Sequence, residues 1–162
     1  MIHERDVTSY CSEQLNERMK HKGIQKWYMA YFCDIESYLL KKCLDGERLP
    51  NPWQLILMAE VLECTVNDLL GYGYYEKNST LQASGICCGQ RHIIRHVSDE
   101  IKNRMHQLHI SVDEMADMTE VSTYTVNSWI SETADSFAKK STFTLLTICS
   151  ALECTPSDLL GY

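Results

Sequence analysis

An eleven-residue segment occurs twice in this chain. It reads LECTVNDLLGY at residues 62–72 and LECTPSDLLGY at residues 152–162, and nine of the eleven positions are identical. A long internal repeat indicates that one structural unit is present in two copies. Half of the chain, about 80 residues, is enough for a compact helical domain with its own core. We therefore predict two copies of one small domain, at 1–75 and 90–162, joined by a linker at 76–89.

The similarity between the two copies extends upstream of the repeated segment. A shift of 86 positions aligns 15–45 with 101–131, and pairs Met19 with Met105. The repeated segments themselves are offset by 90, so four residues are inserted in the second copy after residue 131. Insertions of this size belong in surface loops. The stretch SETADSFAKKST is therefore predicted to be a longer loop than its counterpart DGERLPNP.

Both copies have the sequence pattern of helices. Alternation with a period of two residues is absent, and Gly and Pro separate the apolar segments. In the first copy, Leu15 and Met19 predict a helix over about 8–22, and Gly23 follows at a position that favours a left-handed φ. In the second copy, five apolar residues at helical spacing predict one core-facing stripe: Ile94, Val97, Ile101, Met105 and Leu108.

Capping residues mark the starts of the later helices. Ser111 with Glu114 has the pattern of a capping box, and Ser122 suits the N-cap of the next helix. Thr65 and Thr155 suit the N-caps of a last short helix. The sequence therefore predicts an all-α fold with five helices per copy. The second helix should end near residue 32 or 118, the third before Gly46 or about residue 132, the fourth should cover 52–62 or 142–152, and the fifth 66–70 or 156–160.

Small and apolar residues recur at fixed positions of the second and third helices. The pairs are Ala30 and Ala116, Ile35 and Val121, and Leu40 and Val126. With this pattern the segment 26–45 resembles the helix-turn-helix of the Cro and lambda-repressor-like (XRE) family, and the resemblance extends over nearly all of both copies. Gly46, Arg48 and Pro50 are similar to the stretch that follows the motif in the family. The resemblance implies two tandem five-helix lambda-repressor-like DNA-binding domains in a sequence-specific transcriptional regulator that binds double-stranded DNA.

Two positions depart from the family pattern. The turn between the two helices usually holds Gly, because it requires a positive φ, and here holds Asp34 and Glu120. Asp tolerates that conformation better than Glu does. The first motif position is often a Gln that contacts phosphate, and here it is Lys26 or Val112. Lys26 can still bind a phosphate, whereas Val112 cannot.

The exposed face of each third helix is the expected reading surface, because such a helix fits the major groove with its N-terminal end toward the base edges. Glu36 could accept from cytosine, the lysines could pair with guanine or phosphate, and Asn127 could read adenine. The predicted DNA-binding residues are Lys26, Glu36, Ser37, Tyr38, Lys41, Lys42 and Arg48 in the first copy, and Ser122, Thr123, Tyr124, Asn127, Ser128, Lys139 and Lys140 in the second copy.

Two motifs in one chain suggest either an intramolecular pseudo-dimer or a homodimer with four motifs. Because the two third helices differ in sequence, the preferred operator should be asymmetric. The alternative is a protein–protein interaction module, such as an antirepressor or accessory factor, on the same scaffold. The net charge of −7 and the uncharged third helix of the second copy favour that alternative. Trp27, Tyr28 and Tyr31 crowd the second helix of the first copy, as core residues, as an interface between domains or as a partner surface.

Other classes of site are weakly represented. Cys87, Cys88, His92 and His96 are residue types that bind zinc, but adjacent cysteines are not the usual C-x₂-C spacing, and the first copy has no equivalent. An exposed helix start with unrelated thiols is therefore the favoured interpretation. The sequence therefore predicts no metal site and no cofactor. It contains no Gly-rich phosphate loop, nucleophile elbow or H-E-x-x-H motif, so we expect no enzyme activity.

The N-terminal sequence and the lengths of the apolar stretches bear on the cellular compartment. The N-terminal residues carry acids and lack the apolar region of a signal peptide, and no stretch of about 18 apolar residues predicts a membrane span. We therefore expect a cytoplasmic protein without membrane contact. Its eight cysteines should be reduced thiols, with Cys64 and Cys154 as small core hydrophobes at matching positions.

Overall fold

The computed structural model describes residues 4–72, 90–131 and 140–160, and the side chains of residues 90–96 are not part of that description. Helices are the only regular secondary structure within these ranges, so the all-α prediction is confirmed there. The helices are α1 (Glu4–Lys22), α2 (Lys26–Phe32), α3 (Ser37–Leu44), α4 (Pro52–Leu62), α5 (Val66–Leu70), α6 (Gln90–Gln107), α7 (Val112–Thr119), α8 (Thr123–Ile130), α9 (Thr142–Ala151) and α10 (Pro156–Leu160).

The chain divides into two compact units. The first contains α1 to α5, and the second contains α6, α7, α8, α10 and the part of α9 from Thr144 onward. Each unit encloses fully buried apolar side chains from several helices. In the first unit these include Leu15, Met29, Leu40, Leu55, Met58, Leu62 and Leu69. In the second unit they include Ile101, Met115, Val126, Trp129, Leu145, Ile148 and Leu159.

The predicted helix starts are largely confirmed. Ser111 and Thr65 form capping boxes with Glu114 and Asp68, and Ser122 accepts a hydrogen bond from the Thr125 N–H at 3.2 Å. These side chains satisfy backbone donors that the first helical turn leaves without partners. Two N-caps of the first unit make no such bond: those of α2 and α3 are Gln25 and Glu36.

Residues with left-handed backbone conformation end the helices at equivalent places in the two units. Gly23 has a φ of 68°, as predicted, and its counterpart His109 has a φ of 56°. Glu63 and Glu153, which follow α4 and α9, have φ values of 52° and 50°. A left-handed residue just beyond a helix lets the chain turn back while backbone donors still reach the last helical carbonyls.

The prediction that Leu108 faces the core was wrong. The helix stops at Gln107, and Leu108 is 38% exposed, whereas Val97, Ile101 and Met105 are buried as predicted. The left-handed turn at His109 lets the Ile110 N–H donate to the Met105 carbonyl at 2.9 Å. This turn ends the helical periodicity, and the half-buried residue that follows it is Ile110.

Four smaller differences concern helix lengths and the burial of side chains. The first helix begins at Glu4 rather than near residue 8, and α9 ends one residue earlier than predicted, at Ala151. Cys64 and Cys154 are half-buried rather than core residues, because both follow a helix end. The core interpretation of the α2 aromatic residues was also wrong. Trp27, Tyr28 and Tyr31 are all exposed, because α2 buries only Met29 and Ala30.

Candidate nucleic-acid interface

The turn between α2 and α3 has the conformation that the motif requires. Ala30 is buried, and the N–H of Ile35 donates to the Ala30 carbonyl at 3.1 Å. Asp34 supplies the positive φ, 47°, that a Gly would adopt at less cost. The buried small side chain and the closed turn fix the orientation of α3 against α2.

The turn between α7 and α8 repeats this arrangement. Ala116 is buried, and the Val121 N–H donates to its carbonyl at 3.0 Å. Glu120 adopts the left-handed conformation with a φ of 55°. The two departures from Gly therefore leave the turn geometry intact. They place an L-residue where the backbone is strained by about 1 kcal/mol.

α3 buries one side and exposes the other. Leu40, Cys43 and Leu44 pack inward. The residues predicted to contact DNA from this helix are all exposed, namely Glu36, Ser37, Tyr38, Lys41 and Lys42. The two cations predicted outside the helix, Lys26 and Arg48, are exposed as well. The first unit thus brings four cationic side chains to the surface around its third helix, where Asp34, Glu36, Asp45 and Glu47 are exposed as well.

The C-terminal end of α3 is anchored to α1 by two side chains. Ser12 Oγ donates to the carbonyl of Leu44 at 2.6 Å, and Asn16 Nδ2 donates to the same oxygen at 2.7 Å. This carbonyl is one of those that a helix end leaves without a partner. Neither residue was predicted from the sequence, because no local pattern shows that polar residues of one helix face the end of another.

α8 also exposes a polar face, but part of it serves the helix itself. Val126 and Trp129 are buried, while Ser122, Thr123, Tyr124 and Asn127 are exposed. Ser122 is the N-cap, and half-buried Ser128 donates its hydroxyl to the Thr125 carbonyl at 2.7 Å. Among the five residues predicted on α8, the structure therefore gives Ser122 and Ser128 local structural roles. Thr123, Tyr124 and Asn127 extend into solvent.

Lys140 lies beside the buried tryptophan of α8. Its Nζ is 5.2 Å from the centre of the Trp129 ring, a cation–π distance. Partial burial lowers the pKa of the Lys140 ammonium group. Lys139 lies outside the described residues, so its predicted phosphate contact stays a prediction.

α2 and α7, the second helices of the two units, carry different surface chemistry. α2 exposes Lys26, Trp27 and Tyr31. The equivalent residues of α7 are half-buried Val112 and exposed Asp113 and Asp117. Asp113 suits the first turn of α7, whereas Asp117 lies in its C-terminal half, and both carboxylates repel phosphate. This acidic face is visible in the sequence once the two copies are aligned.

The carboxylate of Glu114 caps the N-terminus of α7. It accepts from the Ser111 N–H and Ser111 Oγ, both at 2.8 Å. The backbone hydrogen bond from Ser111, and then the hydroxyl bond, lower the pKa of Glu114. This capping box stabilises the start of the helix that positions α8.

The predicted linker and the four cysteine and histidine residues near it cannot be placed relative to this surface. Cys87, Cys88 and the side chains of His92 and His96 lie outside the described residues, and so does the 76–89 linker. Within the described ranges, the helices are too short or too polar to cross a membrane.

Comparison with known proteins agrees with the geometry of the second unit. A family model described as the Cro/C1-type HTH DNA-binding domain matches residues 100–162. Searches of curated proteins and of solved structures found no match. Residues 100–162, which include α7 and α8, are therefore similar to a helix-turn-helix domain of the Cro/C1 type.

Proposed function

We propose that this chain is a sequence-specific transcriptional regulator that binds double-stranded DNA through two lambda-repressor-like domains, 1–75 and 90–162. The observation that carries the proposal is the pair of equivalent turns, Ala30–Ile35 and Ala116–Val121. Each turn presents a third helix with one buried and one polar face. The Cro/C1-type match to residues 100–162 supports this function for the second domain. The equivalent backbone of α2 and α3 supports it for the first.

The two domains contribute unequally in this proposal. The first carries Lys26, Lys41, Lys42 and Arg48, which suit phosphate and guanine. The second offers Asn127 for an adenine, but Asp113 and Asp117 lie on the helix that would approach the backbone. We therefore propose that electrostatic attraction comes mainly from the first domain, and that the second adds sequence preference with little affinity of its own.

Selection of duplexes from a random library by the full chain tests this function directly. We expect an asymmetric consensus, because the exposed residues of α3 and α8 differ. Binding should weaken steeply with salt, since each phosphate contact releases counterions. If no duplex is enriched, and a shift assay at low salt shows no binding, the proposed function is wrong.

The footprint on the selected duplex distinguishes two arrangements. An intramolecular pseudo-dimer would protect two half-sites about one helical turn, roughly 34 Å, apart with one chain bound. A homodimer would bring four motifs and two chains to one duplex. Measuring the protein-to-DNA stoichiometry at saturation by light scattering decides between them.

A second candidate function is a protein-interaction module, and the aromatic surface of α2 favours it. Trp27 is 70% exposed and Tyr31 is 83% exposed, which is unusual for large aromatic side chains in a monomeric domain. A photo-crosslinking residue at position 31 tests this candidate in cells. A discrete protein adduct that is lost with Trp27→Ser supports it, and the absence of any adduct contradicts it.

A further inference from the structure

Two cysteines of the second unit meet at the end of α9. Cys149 is in the last turn of the helix, Glu153 has a φ of 50°, and the Cys154 N–H donates to the Cys149 carbonyl at 3.0 Å. This is the hydrogen bond of a Schellman helix end, which commonly brings the side chains of the two bonded residues into contact. Here each of the two thiols is near enough to affect the pKa of the other.

The two sulfur atoms have different surroundings. Cys149 is fully buried, whereas Cys154 is half-buried and can meet small solutes. The hydrogen bond from Cys149 lowers the pKa of Cys154 more than burial raises it. Arg104 of α6 lowers it further, and Asp158 of α10 and Glu100 of α6 oppose that effect. Burial raises the pKa of Cys149. Cys154 is therefore the sulfur suited to react first, as a thiolate. Cys149 is the neighbouring thiol suited to react with the oxidised Cys154.

The first unit contains a matched control. Cys64 follows left-handed Glu63, and its N–H donates to the carbonyl of Ala59 at 3.0 Å, so the backbone arrangement is the same. Ala59 stands where the second unit has Cys149, and burial raises the pKa of Cys64 to about 11. The end of α4 therefore lacks a thiol at the position of Cys149, although Cys11 of α1 lies near enough to Cys64 for the charges of the two groups to interact.

We propose that Cys149 and Cys154 are a modification site at which a peroxide converts two thiols into a reversible disulfide. In the first step the Cys154 thiolate attacks a peroxide oxygen and the O–O bond breaks. The sulfur is oxidised to a sulfenic acid, and the departing hydroxide takes a proton to become water. In the second step the Cys149 sulfur attacks Cys154, the S–S bond forms and the S–O bond breaks. The hydroxyl leaves with the Cys149 proton as a second water molecule.

Thiol reactivity of the folded chain tests the first step. Alkylation by iodoacetamide at pH 7.5, followed by peptide mapping, should label Cys154 at least about 10-fold faster than Cys64. This ratio reflects a larger thiolate fraction partly offset by lower nucleophilicity. Cys149→Ala should reduce the rate at Cys154, while Cys149→Ser, which keeps a hydrogen-bond donor, should preserve it. Equal rates at Cys154 and Cys64, or no effect of Cys149→Ala, would overturn the proposal.

Limited hydrogen peroxide tests the second step on the full chain with Cys87→Ser and Cys88→Ser. We expect a mass loss of about 2 Da and a cross-linked peptide pair containing Cys149 and Cys154, reversed by dithiothreitol. In the Cys149→Ser variant, Cys154 should stop at a sulfenic acid that dimedone traps. A chain that forms its disulfide between other cysteines, with Cys149 and Cys154 left reduced, contradicts the proposal. Circular dichroism of each variant establishes that it is folded.

Discussion

The side-chain amide of Asn16 donates to the carbonyl of Leu44 at 2.7 Å and so joins α1 to the last turn of α3. Ser12 donates to the same oxygen at 2.6 Å. The helix that we propose to read DNA is therefore positioned at both ends: by the turn at Asp34 and by this polar anchor. In the second unit Ser98 and Lys102 occupy the equivalent positions, so the anchor is not repeated in full.

Removing this anchor should destabilise the first unit. We expect Asn16→Ala to lower the free energy of unfolding by about 1 kcal/mol, the net value of one hydrogen bond. Ser12→Ala with Asn16→Ala should cost roughly 2–3 kcal/mol, because the carbonyl then loses both donors. Urea denaturation measures both values. Lys102→Ala, at the equivalent position on α6, is the control. A double variant as stable as wild type would mean that the carbonyl finds another partner.

Lys41 and Lys42 should supply a large part of the salt dependence of DNA binding. Lys41→Ala with Lys42→Ala should reduce the slope of log K against log salt by about 2, one for each lost phosphate contact. Fluorescence anisotropy on the selected duplex measures this slope. Arg5→Ala with Lys20→Ala removes two exposed cations of α1 and should leave the slope unchanged. Similar slopes for both double variants would place the DNA elsewhere on the chain.

Relieving backbone strain at the second turn should stabilise the protein. Glu120→Gly removes an L-residue from a φ of 55°, so we expect about 1 kcal/mol of added stability in urea denaturation. Gly23→Ala should have the opposite effect. Its φ is 68°, and a Cβ there would meet no atom within 4 Å, so only the backbone cost remains. Loss of stability in Glu120→Gly would show that the Glu120 side chain makes a stabilising interaction.

Trp129 combines a buried ring with an unsatisfied donor. Among the described residues, its Nε1 has no hydrogen-bond partner. We therefore expect Trp129→Phe to cost less than about 1.5 kcal/mol, because the apolar ring is kept and the desolvated N–H is removed. Trp129→Ala should cost about 3–5 kcal/mol through the cavity it leaves. Thermal unfolding of the two variants gives the comparison, and equal losses would show that the N–H is needed.

Acid should weaken the start of α7. The pKa of Glu114 is below its ordinary value of 4.5 in the folded state, chiefly because the Ser111 N–H donates to its carboxylate. The ionised Glu114 carboxylate therefore contributes its full share of folding stability above the pKa that it has in the unfolded chain. This stability is lost as the pH falls through the lower pKa that Glu114 has in the folded chain. Glu114→Gln should flatten the dependence of stability on pH below about 4.5, measured by urea denaturation from pH 6 to pH 3. Glu17→Gln, on the exposed side of α1, is the control.

The sequence by itself determined the features that depend on near neighbours. Ser111 with Glu114 and Thr65 with Asp68 cap their helices three residues away, so their patterns predict the helix starts directly. The apolar spacing of Val97, Ile101 and Met105 likewise predicts one buried side. Such interactions are visible in a linear sequence because both partners lie within one helical turn.

Only the tertiary structure decided the rest. Leu108 continues the helical spacing of apolar residues, but the left-handed turn at His109 leaves it exposed. The sequence does not predict this turn, because the position holds His rather than Gly. Asn16 is 28 residues from Leu44, and Cys149 meets Cys154 only because α9 ends in a left-handed turn. Trp27 and Tyr31 are apolar enough for a core, yet α2 buries only the side that carries Met29 and Ala30. In each case the free energy depends on which surfaces the folded chain brings together, and a sequence pattern does not contain that information.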